Sequence, residues 1–256
     1  MNRQTRYVQV GLGARSEMYS RALALEYRDH GDLVGLCDSN PGRLADRQRW
    51  LQQQGMEVAA YDADQFDRML AETKPDFVIV TTVDCLHDDY ICRAMEAGCH
   101  VITEKPMTTD ESKCRRILET RERTGRQCRV TFNYRYSPPR TQVKDLLMSG
   151  VIGQVLSVDF HWMLDTFHGA DYFRRWHSYK SQSGGLMVHK ATHHFDLVNW
   201  WLATVPESVS AMGHRRFYTP AMADRFGLAQ RAARCLDCPA RKSTRLNSSH
   251  RIRSRM

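Results

Sequence analysis

The chain has 256 residues, 42% of them apolar and 26% charged, with 15 Gly, 8 Pro and 8 Cys, an ordinary globular composition that excludes a disordered, collagen-like or disulfide-scaffold chain. The formal charge is +8, but five of the basic residues (Lys242, Arg245, Arg251, Arg253 and Arg255) stand in the last fifteen positions with no acid among them. The remainder carries only +3, which is no nucleic-acid footprint.

No apolar run reaches the roughly 18 residues that a bilayer span needs, and residues 1–6 lead into a strand pattern without a signal-peptide core. A cytoplasmic protein with no membrane partner is expected. Cys37, Cys85, Cys92, Cys99, Cys114 and Cys128 sit singly in regular segments, as small apolar residues do in a reducing compartment. Cys235-Leu-Asp-Cys238 alone has ligand-like spacing, and reads either as half of a zinc or cluster site or as two buried thiols. No metal is assigned.

In chain order, Tyr7-Val8-Gln9-Val10 reads as a strand, Gly11-Leu12-Gly13-Ala14-Arg15-Ser16 as a tight turn, the stretch to Tyr27 as a helix and residues 33–38 as a second strand, which together make a βαβ unit. A helix follows Asn40-Pro41, where proline suits a first helical position, and Gly55 closes it. Then come a short helix over 66–72, an apolar strand over 76–81, a helix over 88–97 ended by Gly98, and a strand over 100–104. A helix over about 110–124 and a strand over 128–133 follow. Strands that are apolar throughout and alternate with helices indicate a parallel sheet covered on both faces.

The pattern changes after Ser137-Pro138-Pro139. A helix over 140–149, an alternating strand over 155–162, a polar and aromatic loop over 163–183, a helix over 185–202 and a strand over 207–217 are expected. Two strands make a poor sheet. The expected fold class is therefore α/β: a Rossmann dinucleotide-binding domain over residues 1–130, then an incomplete α+β domain over 131–241. Residues 242–250, Lys-Ser-Thr-Arg-Leu-Asn-Ser-Ser-His, read as the translation of a common short-read sequencing adapter. Residues 242–256 are accordingly expected to be a non-native tail on a chain cut near residue 241, a genuine basic tail being the alternative.

Gly11 permits the turn after the first strand, Gly13 lets backbone N–H groups approach a pyrophosphate, and Ser16 is small enough to let helix and strand pack where the pattern wants a third Gly or Ala. Asp38 ends the second strand 22 residues after Ser16. Its carboxylate suits the two hydroxyls of an adenosine ribose and repels a 2'-phosphate, so NAD is the expected cofactor, with NADP possible through Arg15 or Arg43. The alternatives are a plain βα turn and a helix-capping aspartate.

With Thr81-Thr82-Val83-Asp84-Cys85-Leu86-His87, Ala97-Gly98-Cys99-His100-Val101-Ile102-Thr103-Glu104-Lys105-Pro106, Tyr134-Arg135-Tyr136-Ser137-Pro138, and Gly184-Gly185 followed by His193 and Asp196, the chain resembles the glucose-fructose oxidoreductase/inositol dehydrogenase (Gfo/Idh/MocA) family over residues 6 to about 217. The resemblance implies a nicotinamide-dependent dehydrogenase whose second domain is an open-faced sheet, with assembly into a homo-oligomer when full length. It also assigns Thr81, Thr82, His87 and Glu104 to the cofactor, beside Gly11, Gly13, Ala14, Arg15, Ser16 and Asp38.

Lys105 lies at the end of a parallel strand, where such sheets bind ligands, and partial burial would lower its pKa enough to exchange a proton with a substrate hydroxyl. Family members use the equivalent lysine this way; an exposed loop lysine is the alternative. His189, His193 and Asp196 are spaced four and three apart and would share one helix face. The family pattern has an Asp at the position of His189 and a His at that of His193, so His193 is expected to hydrogen-bond or relay a proton to the reacting hydroxyl, with His189 beside it. By family position Trp176 and Lys180 would line the cavity, and Tyr136 is a further substrate candidate. Asp196 reads as structural.

The expected activity is hydride transfer from a secondary hydroxyl of a sugar, polyol or glycoside to NAD, with Lys105 as acid/base and a small-molecule substrate as the partner. A redox-assisted glycoside hydrolase or lyase of the same fold, and a non-catalytic cofactor-binding regulator, are the alternatives.

Overall fold

The computed structural model describes residues 3–173 and 175–227, without the side chains of Phe167 and Asp171. Six parallel strands, β1 (Thr5–Val10), β2 (Gly31–Cys37), β3 (Ala59–Tyr61), β4 (Phe77–Val80), β5 (His100–Glu104) and β6 (Cys128–Thr131), form one sheet in the order 3-2-1-4-5-6. This is the doubly wound Rossmann order, whose crevice opens beyond the strands' C-terminal ends between β1 and β4. The sequence reading missed β3, because three residues carry too little periodicity to be seen.

Period two in the strands sorts the core into two layers. Val8, Val10, Val78, Val80 and Val101 face Phe66, Met69, Ile91, Met95 and Ile117, which come from α3 (Phe66–Thr73), α4 (His87–Glu96) and α5 (Glu111–Thr124). Leu33, Leu36 and Ile79 join Leu12, Leu23, Ala24, Leu44 and Leu51 on the other face, with α1 (Glu17–Arg21) and α2 (Pro41–Gln53). Asn40 caps α2 by accepting from the N–H of Arg43 at 3.2 Å, and Asp110 caps α5 by accepting from that of Lys113 at 3.1 Å.

The described residues divide into two units, residues 3–156 with 176–204, and residues 157–173 and 175 with 205–227. The first also holds α6 (Pro138–Met148) and short helices later in the chain. The second contains α7 (Thr166–Ala170); Tyr218 Oη donates to the carbonyl of Thr166 at 2.6 Å and its ring stacks on Phe173 at 4.4 Å.

Three expectations need correction. Residues 155–162 and 207–217 are not strands: neither segment joins a sheet among the described residues, and a chain without ladder hydrogen bonds makes no sheet. The loop over 163–183 instead carries short helical turns, including α8 (Lys180–Ser183). The helix over 185–202 is two, α9 (Leu186–His189) and α10 (Thr192–Leu202), interrupted at Lys190, where φ is −106°. Periodicity does not report such a break, which side-chain anchoring on both sides of it holds open. The Cys235/Cys238 pair and the tail over 242–256 lie outside the described residues.

Candidate active site

The glycine-rich turn is built from both sides. Gly11 has φ of +84°, and a Cβ there would come within 2.6 Å of the Thr81 and Thr82 backbones, so only glycine is accommodated. Thr81 braces the same turn, its hydroxyl donating to the carbonyl of Val10 at 3.1 Å and to that of Gly11. A Cβ on Gly13 would meet nothing within 4 Å, leaving open space above the turn. Ser16 is fully buried beneath, donating to the Gly13 carbonyl at 2.6 Å and accepting from Arg47 of α2 at 3.2 Å.

Asp38, also buried, accepts from the N–H of Leu12 and, at 2.8 Å, from that of Asn40. A glycine turn with space above it, and a carboxylate fixed at the end of β2, fit a dinucleotide: Gly11, Gly13, Ala14, Arg15 and Ser16 at its diphosphate and Asp38 at its adenosine ribose.

Around the C-terminal end of β5 the side chains converge. Arg15 donates to Glu104 at 2.7 Å, as does Tyr19 at 3.0 Å. Lys105 Nζ donates to the main-chain carbonyl of His189 at 2.9 Å, and no carboxylate lies within ion-pair distance of it among the described residues. Burial holds its pKa below the ordinary lysine value, with Asp84 and Glu104 pulling the other way.

His87 is wholly buried, its ring nitrogens against the carbonyls of Pro106 at 2.9 Å and Thr82 at 3.2 Å; it braces the loops after β4 and β5. Thr82 is half-buried beside it.

The break between α9 and α10 separates three residues that a continuous helix would have aligned. His189 Nδ1 meets the carboxylate of Asp84, with Trp176 edge-on at 5.3 Å and the His177 ring at 4.7 Å. His193 lies parallel to Tyr134, centroids 4.0 Å apart, and its Nδ1 is buried without a hydrogen-bond partner among the described residues. Asp196 takes a two-pronged ion pair from Arg135, one arm at 2.8 Å. Burial, reinforced by Lys105 and Lys190, pushes both His189 and His193 down to about 3, so both are neutral at physiological pH.

Of the substrate candidates, Trp176 joins this cluster. Lys180 is exposed, and Tyr136 is 76% exposed. In the 3-10 turn Asn133–Tyr136 it is Tyr134 that is partly buried, where Lys190 Nζ donates to its hydroxyl at 2.8 Å and Arg140 covers its ring at 4.1 Å. Asp84 and Tyr134 were missed by sequence reasoning. The adjacency of Asp84 to His87 and of Tyr134 to Tyr136 in the quoted motifs was the available signal. Among the described residues no group of three or more His, Cys, Asp or Glu is placed to hold a metal, and no helix is long and apolar enough to cross a membrane.

Residues 5–132 match the profile of an oxidoreductase family with an NAD-binding Rossmann fold, and residues 144–238 match the C-terminal alpha/beta domain of the same family. YteT of Bacillus subtilis (strain 168), which carries an oxidoreductase name, is 42% identical over 82% of this chain and 49% of its own length. An inositol 2-dehydrogenase/D-chiro-inositol 3-dehydrogenase of Lactiplantibacillus plantarum is 26% identical over 66% of this chain and 44% of its own. The chain thus spans about half the length of these curated relatives. Among solved structures, scyllo-inositol dehydrogenase of Lactobacillus casei with bound NAD(H) and scyllo-inositol superposes with a TM-score of 0.70 at 24% identity, covering 88% of this chain and 63% of that one, a likeness of fold. With its parallel sheet, glycine turn and Glu104-Lys105-Pro106 corner matched over both halves of the family pattern, the chain belongs to the Gfo/Idh/MocA oxidoreductases.

Proposed function

We propose that this chain carries the reaction centre of an NAD-dependent dehydrogenase acting on a secondary hydroxyl of a sugar, polyol or glycoside. The observation that supports this best is the half-buried Lys105 amine at the crevice end of β5, with no ion-pair partner among the described residues and with its proton affinity lowered by desolvation. A lysine so placed is deprotonated at a lower pH than a surface one, and its neutral amine takes the hydroxyl proton. NAD, when bound, supplies the hydride acceptor.

His193 acts as a neutral hydrogen-bonding group on the substrate hydroxyl, since burial and two nearby lysines oppose its protonation. Glu104, held by Arg15 and Tyr19, lies beside Lys105 at the nicotinamide end of the crevice. Trp176 offers an apolar face for a sugar ring. The inositol dehydrogenase relative supports a polyhydroxylated substrate, and the Asp38 carboxylate supports NAD over NADP.

The test is titration of NAD and NADP, followed by a screen of inositols, sugars and glucosides for reduced-nicotinamide absorbance, with Lys105→Ala alongside. Reduction that is lost in Lys105→Ala is expected. Reduction that persists in Lys105→Ala removes its acid/base role, and failure to bind either cofactor overturns the reading. Tight NAD binding without net reduction favours redox-assisted glycoside cleavage.

A further inference from the structure

A carboxylate reaches His189 from a different element of the fold. Asp84 opens the helical turn Asp84–Leu86 after β4, is 3% exposed, and presents its carboxylate to Nδ1 of His189. An acid buried this deeply needs a partner, and among the described residues neither a lysine nor an arginine makes an ion pair with it. His189 in turn offers its main-chain carbonyl to Lys105 Nζ at 2.9 Å. One residue therefore joins Asp84 to the amine.

Resting on the dehydrogenase reading above, we propose that Asp84, from the loop after β4, is the positioning residue of Lys105, acting through His189. Asp84 fixes the His189 ring, and with it the carbonyl that orients the amine. When ionised, Asp84 accepts from His189 Nδ1–H, which leaves Nε2 as an acceptor. It also adds a negative charge that raises the proton affinity of Lys105.

The charged and titratable groups acting on this pair come from several elements. His87 and Lys105 favour the ionised form of Asp84 while Glu104 opposes it; Lys105 and Lys190 oppose protonation of His189 while Glu104 favours it; and the His177 ring lies 4.7 Å from that of His189. Burial outweighs the favourable charges and pushes Asp84 up to about 7, so its charge changes within the working pH range.

The proposal is tested on the full chain without cofactor or substrate, by two readouts. Nitrogen-15 NMR of labelled histidine, with the His189 signal identified by its loss in His189→Asn, reports the ring tautomer. Competitive acetylation with acetic anhydride across pH, read by peptide mass, reports the titration of Lys105. His189 is expected as the Nδ1–H tautomer at pH 8, swinging to Nε2–H, the form an isolated imidazole prefers, in Asp84→Leu.

Asp84→Asn removes the charge while keeping an acceptor, so it is expected to preserve the tautomer and lower the Lys105 titration midpoint by roughly half a unit to one unit. The midpoint reads the charge of Asp84 on the amine, and the tautomer reads the link through His189. If Asp84→Leu does not fold, the Asn variant still carries the test. An Nε2–H tautomer in the unsubstituted chain, or an unshifted Lys105 midpoint in Asp84→Asn, overturns the proposal. Failure of the dehydrogenase reading is seen separately, in cofactor titration and in Lys105→Ala turnover.

Discussion

The rings of Tyr134 and His193 lie 4.0 Å apart and 10° from parallel, so a tyrosine just beyond the Rossmann sheet sets the plane of a histidine from α10. Tyr134 is itself held from its other surroundings, by Lys190 at its hydroxyl and Arg140 over its ring. Removing the stack by Tyr134→Ala is expected to lower kcat about tenfold or more by freeing His193, with NAD affinity changed less than about twofold. Tyr134→Phe, which keeps the stack, should retain most of the turnover. Steady-state kinetics beside a fluorescence titration of NAD checks both.

The two glycines of the turn should separate folding from binding. Gly11→Ala forces a Cβ to 2.6 Å from the backbone of Thr81 at φ +84°, and a loss of about 2 kcal/mol or more in stability is expected. Gly13→Ala meets nothing, so its melting temperature should stay within a degree or two, as for a surface change of about 0.5 kcal/mol. NAD binding should nevertheless weaken, because the added methyl fills the space above the turn. Calorimetric melts with and without NAD distinguish the two outcomes.

Much of this arrangement was legible beforehand because it is local in sequence. The glycine turn, Asp38 and Glu104-Lys105-Pro106 each sit at a strand end, and alternation of apolar strands with helices places every strand end at one crevice. What could not be read is how segments far apart in sequence meet. Asp84 finds His189 across 105 positions and Lys190 finds Tyr134 across 56, and no spacing rule encodes such pairs. The break at Lys190 escaped for the same reason. Residues 155–162 have the alternation of a strand, but a pattern specifies a face and not a partner.

Stability should depend on pH through the buried histidines. His189 and His193 are pushed down to about 3 in the folded chain and titrate near 6.5 when unfolded, so between these values the unfolded state binds more protons and stability rises with pH. Asp84 has the opposite sign: with its pKa raised to about 7, the folded state holds the extra proton from about pH 4 upward, and that contribution is lost as pH rises through 7. Two histidines against one aspartate leave a net rise between pH 4.5 and 6. His193→Gln should flatten that slope by up to about 1.4 kcal/mol per pH unit, and Asp84→Asn should steepen it. Urea unfolding at several pH values measures both signs.

Cofactor choice should follow Asp38. Its carboxylate is fixed by the Leu12 and Asn40 N–H groups, with Arg43 at 3.9 Å. Asp38→Ser is expected to weaken NAD about tenfold and to improve NADP relative to it, because the charge that repels a 2'-phosphate is gone while Arg43 remains. The ratio of the two dissociation constants decides; an unchanged ratio would place the discrimination elsewhere.

His87 has a mechanical consequence. Its buried imidazole sits between the carbonyls of Thr82 and Pro106, one tautomer donating its N–H to one carbonyl while the ring packs against the other, and so wedges between the two loops that carry Asp84 and Lys105. Loops joined this way cannot drift apart independently, so the crevice wall between β4 and β5 is stiff before any ligand arrives, and less ordering is left to be done on binding. A side chain buried out of reach of solvent thus governs how sharply the exposed rim can discriminate.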